Sequence, residues 1–318
     1  MNEHHTEIGH FTSRGGRQLR IVLGIVLAVM LAEIIGGIVS HSLALIGDAG
    51  HMLVDVLALV LAMLAMAIAR RPATPTRTYG YHRMEIMAAL ANGVILALLA
   101  AYIFYEAYQR VKDPPTVDAP IMLVVAAVGL VANMAGILLL RRASQQSLNV
   151  KAAFWHVIGD TVSSVGVIIG GVVIAVTGWN IVDPITAIVI GVIILWGAVR
   201  IVRESADILL EAVPRDIQTT RVVESIRNVS GVEEVHDVHI WTITSGMHAL
   251  SAHLLINDQM VSQSAEIVAA VNESLSRDFH IAHTTLQLEC EKCESCPSGI
   301  ICTLGQPEAQ VKAPGGNN

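Results

Sequence analysis

The chain has 318 residues, which suggests two domains at roughly 100–200 residues each. Hydrophobic residues make up 53 % and charged residues 15 %, with a mean hydropathy of +0.58, whereas about a quarter charged is usual for a soluble protein. That balance excludes a disordered chain and argues against an ordinary soluble enzyme, and a net charge of −7 argues against a nucleic-acid binder.

The first eighteen residues are polar and lack the apolar core and cleavage site of a signal peptide. Six hydrophobic runs follow, near Leu19–Ser40, Leu43–Ala69, Met84–Tyr108, Pro120–Leu140, Val150–Thr177 and Ile185–Val202. Each is long enough for a bilayer core, which needs roughly 20 mainly apolar residues. The connection at His41 is so short that the first two runs form a tight hairpin.

Lys and Arg collect on alternate connections: Arg14, Arg17 and Arg20; Arg70, Arg71, Arg77 and Arg83; Arg141, Arg142 and Lys151; Arg200 and Arg203. The opposite set holds little more than Arg110 and Lys112. Positive charge stays on the cytoplasmic side, so both termini are expected in the cytoplasm. The short loops suggest a bacterial inner membrane.

After Val202 the pattern changes. Residues 200–318 carry 8 basic and 16 acidic side chains, a balance that favours cationic partners. Arg221–Val229 reads as a short helix ended by Gly231, Val235–Thr242 and Ala249–Ile256 as strands, Ser262–Phe279 as an amphipathic helix and Thr284–Glu289 as a third strand. This predicts a small α+β domain with an antiparallel sheet. Past Gly305 the chain has nothing to bury and is expected to be disordered.

Ionisable residues inside a membrane span are costly, so each is a functional candidate. The second run holds Asp48, His51 and Asp55, the fifth His156 and Asp160, and the first Glu33. His51 and Asp55 are four apart, as are His156 and Asp160, so each pair shares a helical face. Two such helices can supply two imidazole nitrogens and two carboxylate oxygens to one point, a tetrahedral set for Zn²⁺. A lone intramembrane histidine reads as well as a packed, hydrogen-bonded residue. A duplicated H-x-x-x-D argues against that, since two uncompensated carboxylates at bilayer depth are expensive. Glu33 reads equally as a proton carrier or as structure, and Asn92 and Asn133 as interhelical hydrogen-bonding residues.

The stretches SLALIGDAGHMLVDVLAL, YGYHRMEIMAALANG and NVKAAFWHVIGDTVSSVGVI, with VDPITAIVIG, HDVHIWTITSGMHALSAHL and HTTLQLE further on, resemble the cation diffusion facilitator family and its zinc branch. The resemblance spans about residues 15–296. It implies a dimeric metal–proton antiporter: a polytopic α-helical membrane protein of six transmembrane helices with a C-terminal α+β metallochaperone-like cytoplasmic domain. The chain then divides into a polar cytoplasmic tail (1–18), the transmembrane domain (19–203), an αββαβ regulatory and dimerisation domain (204–289) and a cysteine-containing, largely disordered tail (290–318).

By the same resemblance, His51, Asp55, His156 and Asp160 form the transport site, and His236, His253 and His283 match cytoplasmic zinc ligands. A family aspartate two residues beyond the last of these is Thr285 here, and the loop after the second span offers only His82. Glu289 with Cys290, Cys293 and Cys296 has a spacing suited to thiolate metal binding, with free reduced thiols as the alternative. His4, His5 and His10 read either as a loose metal-capturing cluster or as an unstructured accident.

A metal ligand must be deprotonated, so Zn²⁺ and protons compete for one set of side chains. Free imidazole titrates near ~6.5, and carboxylates beside it can share its proton. Zinc efflux against inward protons follows, with Cd²⁺ tolerated and Co²⁺ admissible. A membrane-anchored metal sensor is the rival reading. An intramembrane metalloenzyme would need a motif such as H-E-x-x-H, which is absent.

Overall fold

The computed structural model describes residues 6–141, 148–244 and 246–291. The element order is α1 (Thr6–Ser40), α2 (Leu43–Ala69), α3 (Met84–Lys112), α4 (Ala119–Leu140), α5 (Leu148–Thr177), α6 (Val182–Leu209), α7 (Thr219–Arg227), β1 (Val232–Thr244), β2 (Met247–Ile256), α8 (Val261–Phe279) and β3 (Ile281–Glu289). The chain divides into two compact units.

The first unit comprises residues up to Met63 together with Ala89–Val202. All six expected spans exist as helices long and apolar enough to cross a membrane. Helix α1 is longer than its apolar part, beginning at Thr6 within the polar segment. Leu43, Leu96, Ile103, Met122, Val167 and Ile190 belong to a shared interior, whereas Leu31, Leu98, Val131, Ile169 and Trp196 stand on the outside. Large apolar side chains facing outward from every helix are what a hydrocarbon solvent permits.

The turn between α1 and α2 places His41 at φ 57°, in the left-handed region. It is closed by a carboxylate far along the chain. Asp183, fully buried at the start of α6, accepts hydrogen bonds from the Ser42 hydroxyl at 2.5 Å, the Leu43 amide at 2.7 Å and the Ala44 amide at 3.2 Å. The first amides of a helix lack intrahelical partners, and here a distant aspartate supplies them. Arg110 Nη1 donates to the His41 carbonyl at 2.6 Å and lies 3.9 Å from Asp183.

Small residues admit close helix contacts in this unit. A side chain on Gly36 would meet Val125 at 2.5 Å and one on Gly171 would meet Leu123 at 2.8 Å, whereas Gly166 faces open space. Asn133 Nδ2 donates to Ser164 Oγ at 3.4 Å, but the buried Asn92 Oδ1 has no partner among the described residues, so only the first acts as expected.

The second unit comprises Leu64–Ala88 and the chain from Arg203 onward. Helices α7 and α8 bury Val222, Ile226, Val271 and Leu275 against Val238, Ile240, Leu250 and Leu254 of the sheet. Gly231 follows α7 at φ +96°, and a side chain there would meet Ile267 at 2.6 Å, so the turn admits only glycine. The sheet order is β1-β2-β3. Strands β1 and β2 form the expected antiparallel hairpin, but β3 runs parallel to β2, correcting the expectation of an all-antiparallel sheet. The reason is helix α8, which carries the chain back to the starting end of β2, as parallel neighbours require.

Within this unit the α2–α3 connection packs on the sheet. Thr244 Oγ1 donates to Glu85 Oε2 at 2.8 Å, Arg83 pairs with Glu211 at 2.8 Å, and the Tyr79 ring meets His283 edge-on at 5.6 Å.

Candidate metal centres

Helical periodicity brings the four intramembrane candidates together. From α2, His51 Nε2 stands 3.3 Å from Asp55 Oδ2. From α5, His156 Nε2 stands 3.5 Å from the same Asp55 oxygen and 3.6 Å from Asp160 Oδ2. The two imidazole rings are 6.2 Å apart between centroids. Donors about 2.0–2.1 Å from one ion at tetrahedral angles stand about 3.3–3.4 Å from each other. These three separations are close to that edge length, although the donors do not all lie within 4.8 Å of one another as those of the soluble-domain cluster do.

Electrostatics point the same way. Asp55 Oδ2, Asp160 Oδ2 and His51 Nδ1 are buried without a hydrogen-bond partner among the described residues. An unpartnered carboxylate oxygen in an apolar interior is costly unless a cation is present. Asp160 is 3 % exposed, while the His156 side chain is 39 % exposed, so the cluster is open on one side.

Asp48, one turn before His51, accepts a hydrogen bond from Ser163 of α5 at 2.6 Å, tying α2 to α5. Glu33, 1 % exposed, reaches into the space left by Gly129, where a side-chain carbon would lie 2.8 Å from its Oε1. Its Oε2 has no partner among the described residues.

The soluble domain holds a second cluster. His236 and His253 face each other across the β1–β2 ladder, with ring centroids 5.3 Å apart. Glu289 completes the group, with Oε2 3.1 Å from His236 Nε2 and Oε1 2.8 Å from His253 Nδ1. One donor atom from each of the three lies within 4.8 Å of the others, a span that a single ion can bridge. A bulge between His236 and His239 leaves Asp237 at φ 49°, with its carboxylate 3.7 Å from His253 and 3.1 Å from His239.

His283 does not join this cluster within the single chain. His283 pairs in register with Ala249, four residues before His253 on β2, which at ~3.3 Å per residue is about 13 Å along the strand. Its ring packs on Tyr79 instead. Cys290 is described as a free, exposed thiol. Cys293, Cys296, His4 and His5 lie outside the described residues. His82 lines a small pocket beside Tyr79 and joins neither cluster.

Residues 19–210 match the family described as the cation efflux transmembrane domain, and residues 214–291 match the cation efflux protein cytoplasmic domain. The chain belongs to the cation diffusion facilitator family. Among its relatives, the metal cation efflux system protein CzcD of Cupriavidus metallidurans is 42 % identical, covering 87 % of this chain and 88 % of the relative. A cadmium, cobalt and zinc/H⁺–K⁺ antiporter of Bacillus subtilis is 35 % identical over 93 % of this chain and 96 % of its own. The zinc transporter ZitB of Pectobacterium atrosepticum is 35 % identical over 92 % and 90 %. A solved structure, the metal-bound C-terminal domain of the CzcD transporter, covers 23 % of this chain and 99 % of its own at 33 % identity with a TM-score of 0.21.

As a cation efflux family member with six membrane-length helices, the protein is an integral membrane protein of the metal-transporting class. The sequence-level resemblance to the zinc branch agrees with the relatives' descriptions.

Proposed function

We propose that this cation diffusion facilitator exports Zn²⁺, and Cd²⁺ less selectively, in exchange for protons. The cargo is bound by His51, Asp55, His156 and Asp160. The observation that carries this reading is the meeting of two H-x-x-x-D faces from α2 and α5, with Asp55 Oδ2 within 3.5 Å of both imidazoles. Two nitrogen and two oxygen donors suit Zn²⁺ better than harder ions. Because each ligand must lose its proton to bind metal, the site holds either cargo or protons. Exposing it alternately to the two sides converts that competition into counterflow without ATP.

The orientation has both termini in the cytoplasm of a bacterium, with the protein in the inner membrane as a homodimer. His236, His253 and Glu289 form a regulatory metal site in the cytoplasmic domain. A membrane-anchored sensor would need only that second site and leaves four donors at bilayer depth without a role.

The deciding experiment is uptake of radiolabelled zinc into proteoliposomes of the purified protein. An outwardly directed proton gradient should drive accumulation, and collapsing it should stop accumulation. Zinc binding without gradient-dependent flux would favour the sensor.

A further inference from the structure

The connection between α2 and α3 carries more positive charge than its neighbours neutralise. From residue 70 to 83 it holds Arg70, Arg71, Arg77, Arg83 and His82 and no acidic residue, in a chain of net charge −7. Four other arginines are paired. Arg83 lies 2.8 Å from Glu211, Arg110 3.0 Å from Glu106, Arg215 3.0 Å from Asp207 and Arg277 2.9 Å from Asp278. Arg77 stacks 4.6 Å over the Tyr81 ring. Arg70 and Arg71 make no side-chain ion pair or hydrogen bond among the described residues.

Both line a pocket of about 400 Å³, together with His82, Tyr79 and, from the hairpin end of the sheet, Met247 and His283. No Asp or Glu is among its lining residues. Gly80, at φ +67°, turns the connection so that Tyr79 and His82 both border this space. The preference for positive charge on cytoplasmic loops accounts for arginines in such a connection. It does not account for a strand histidine meeting them in a concave, acid-free space.

Two guanidinium groups offer paired N–H donors that fit a phosphate, and two imidazoles offer further donors. The volume suits a small ligand or a headgroup. Basic pockets beside a span's cytoplasmic end are suited to anionic lipid headgroups.

We propose that Arg70, Arg71, His82 and His283 form a binding site for a phosphate group at the cytoplasmic end of α2, held between the α2–α3 connection and the sheet. The phosphate belongs to an anionic phospholipid headgroup or to a free phosphate.

Binding to the full-length protein tests this with two probes. Native mass spectrometry in detergent counts retained phosphatidylglycerol against phosphatidylcholine, and calorimetry titrates inorganic phosphate. We expect at least one probe to bind, with Arg71→Gln and His283→Asn each weakening it about tenfold, the loss of one charge-assisted contact. Arg77→Gln removes an equal charge from the same connection without lining this pocket and should leave affinity unchanged. His283 lies outside the spans, so its variant tests the site without disturbing insertion. Retention of phosphatidylglycerol alone names a lipid, and binding of inorganic phosphate names a soluble source. The proposal is overturned if neither probe binds, if His283→Asn binds as the parent does, or if Arg77→Gln weakens binding as much as the pocket variants.

Discussion

Asp55 Oδ2 is the oxygen that both intramembrane imidazoles approach, at 3.3 Å and 3.5 Å. Asp55→Ala or Asp160→Ala therefore opens the shell and removes a charge that offsets the ion. Each should abolish zinc flux in proteoliposomes while the protein still inserts and remains folded. Near-parental flux in either variant would move the site elsewhere. His51→Asp is the subtler change, keeping four donors but leaving one imidazole against three carboxylates. Discrimination of Zn²⁺ from Cd²⁺ and Mn²⁺ should fall, since the nitrogen donors carry the preference. A free carboxyl titrates near ~4 where a free imidazole titrates near ~6.5. Proton competition at neutral pH should then weaken, and the pH dependence of flux should move to more acidic values. Competition assays at several pH values read both effects, and an unchanged selectivity and profile would make His51 a packing residue. The four-residue spacing of these candidate residues is legible without a structure because helical periodicity is local.

Among the elements, α2 depends on a residue it does not contain. Its first amides are capped by Asp183, 140 residues further along the chain. Asp183→Ala would leave the Ser42 hydroxyl and the Leu43 and Ala44 amides unpartnered and remove a buried carboxylate near Arg110. A loss of about 3 kcal/mol is expected, read as a lowered thermal midpoint of the purified protein in detergent. A midpoint within error of the parent would show that water replaces the cap. Nothing in the spacing of V-D-P-I marks this role, because the aspartate sits in the first turn of its own helix and its partners lie at the start of another, 140 residues away. The strands show a similar limit. Each was legible to within a few residues, but the direction of β3 followed from α8 and from packing of Val271 and Leu275 on the sheet.

For the whole molecule, metal bound in the cytoplasmic domain adds to stability by mass action. Glu289 contacts both His236 and His253, at 3.1 Å and 2.8 Å, so Glu289→Ala should cost most of the zinc-induced rise in the domain's unfolding midpoint. His283→Asn, by contrast, should leave that rise largely intact, because the ring lies with Tyr79 instead of the cluster. Zinc titrations of both full-length variants, followed by thermal unfolding, check the pair. Equal losses would return His283 to the ligand set.

By itself the sequence determined six spans, their loop charges, the paired H-x-x-x-D faces and the order of helices and strands in the soluble domain. These rest on composition and on periodicities of 2 and about 3.6 residues, which neighbouring residues impose on one another. Only the tertiary structure decided that Asp55 stands between the two histidines, that Asp183 caps α2, that Glu289 meets both His236 and His253, and that Arg70 and Arg71 share a pocket with a strand. Those outcomes depend on strand register and on which side chain fills a neighbour's unmet hydrogen bonds. Both are settled when distant segments bury one another's surfaces, and local patterning carries no record of them.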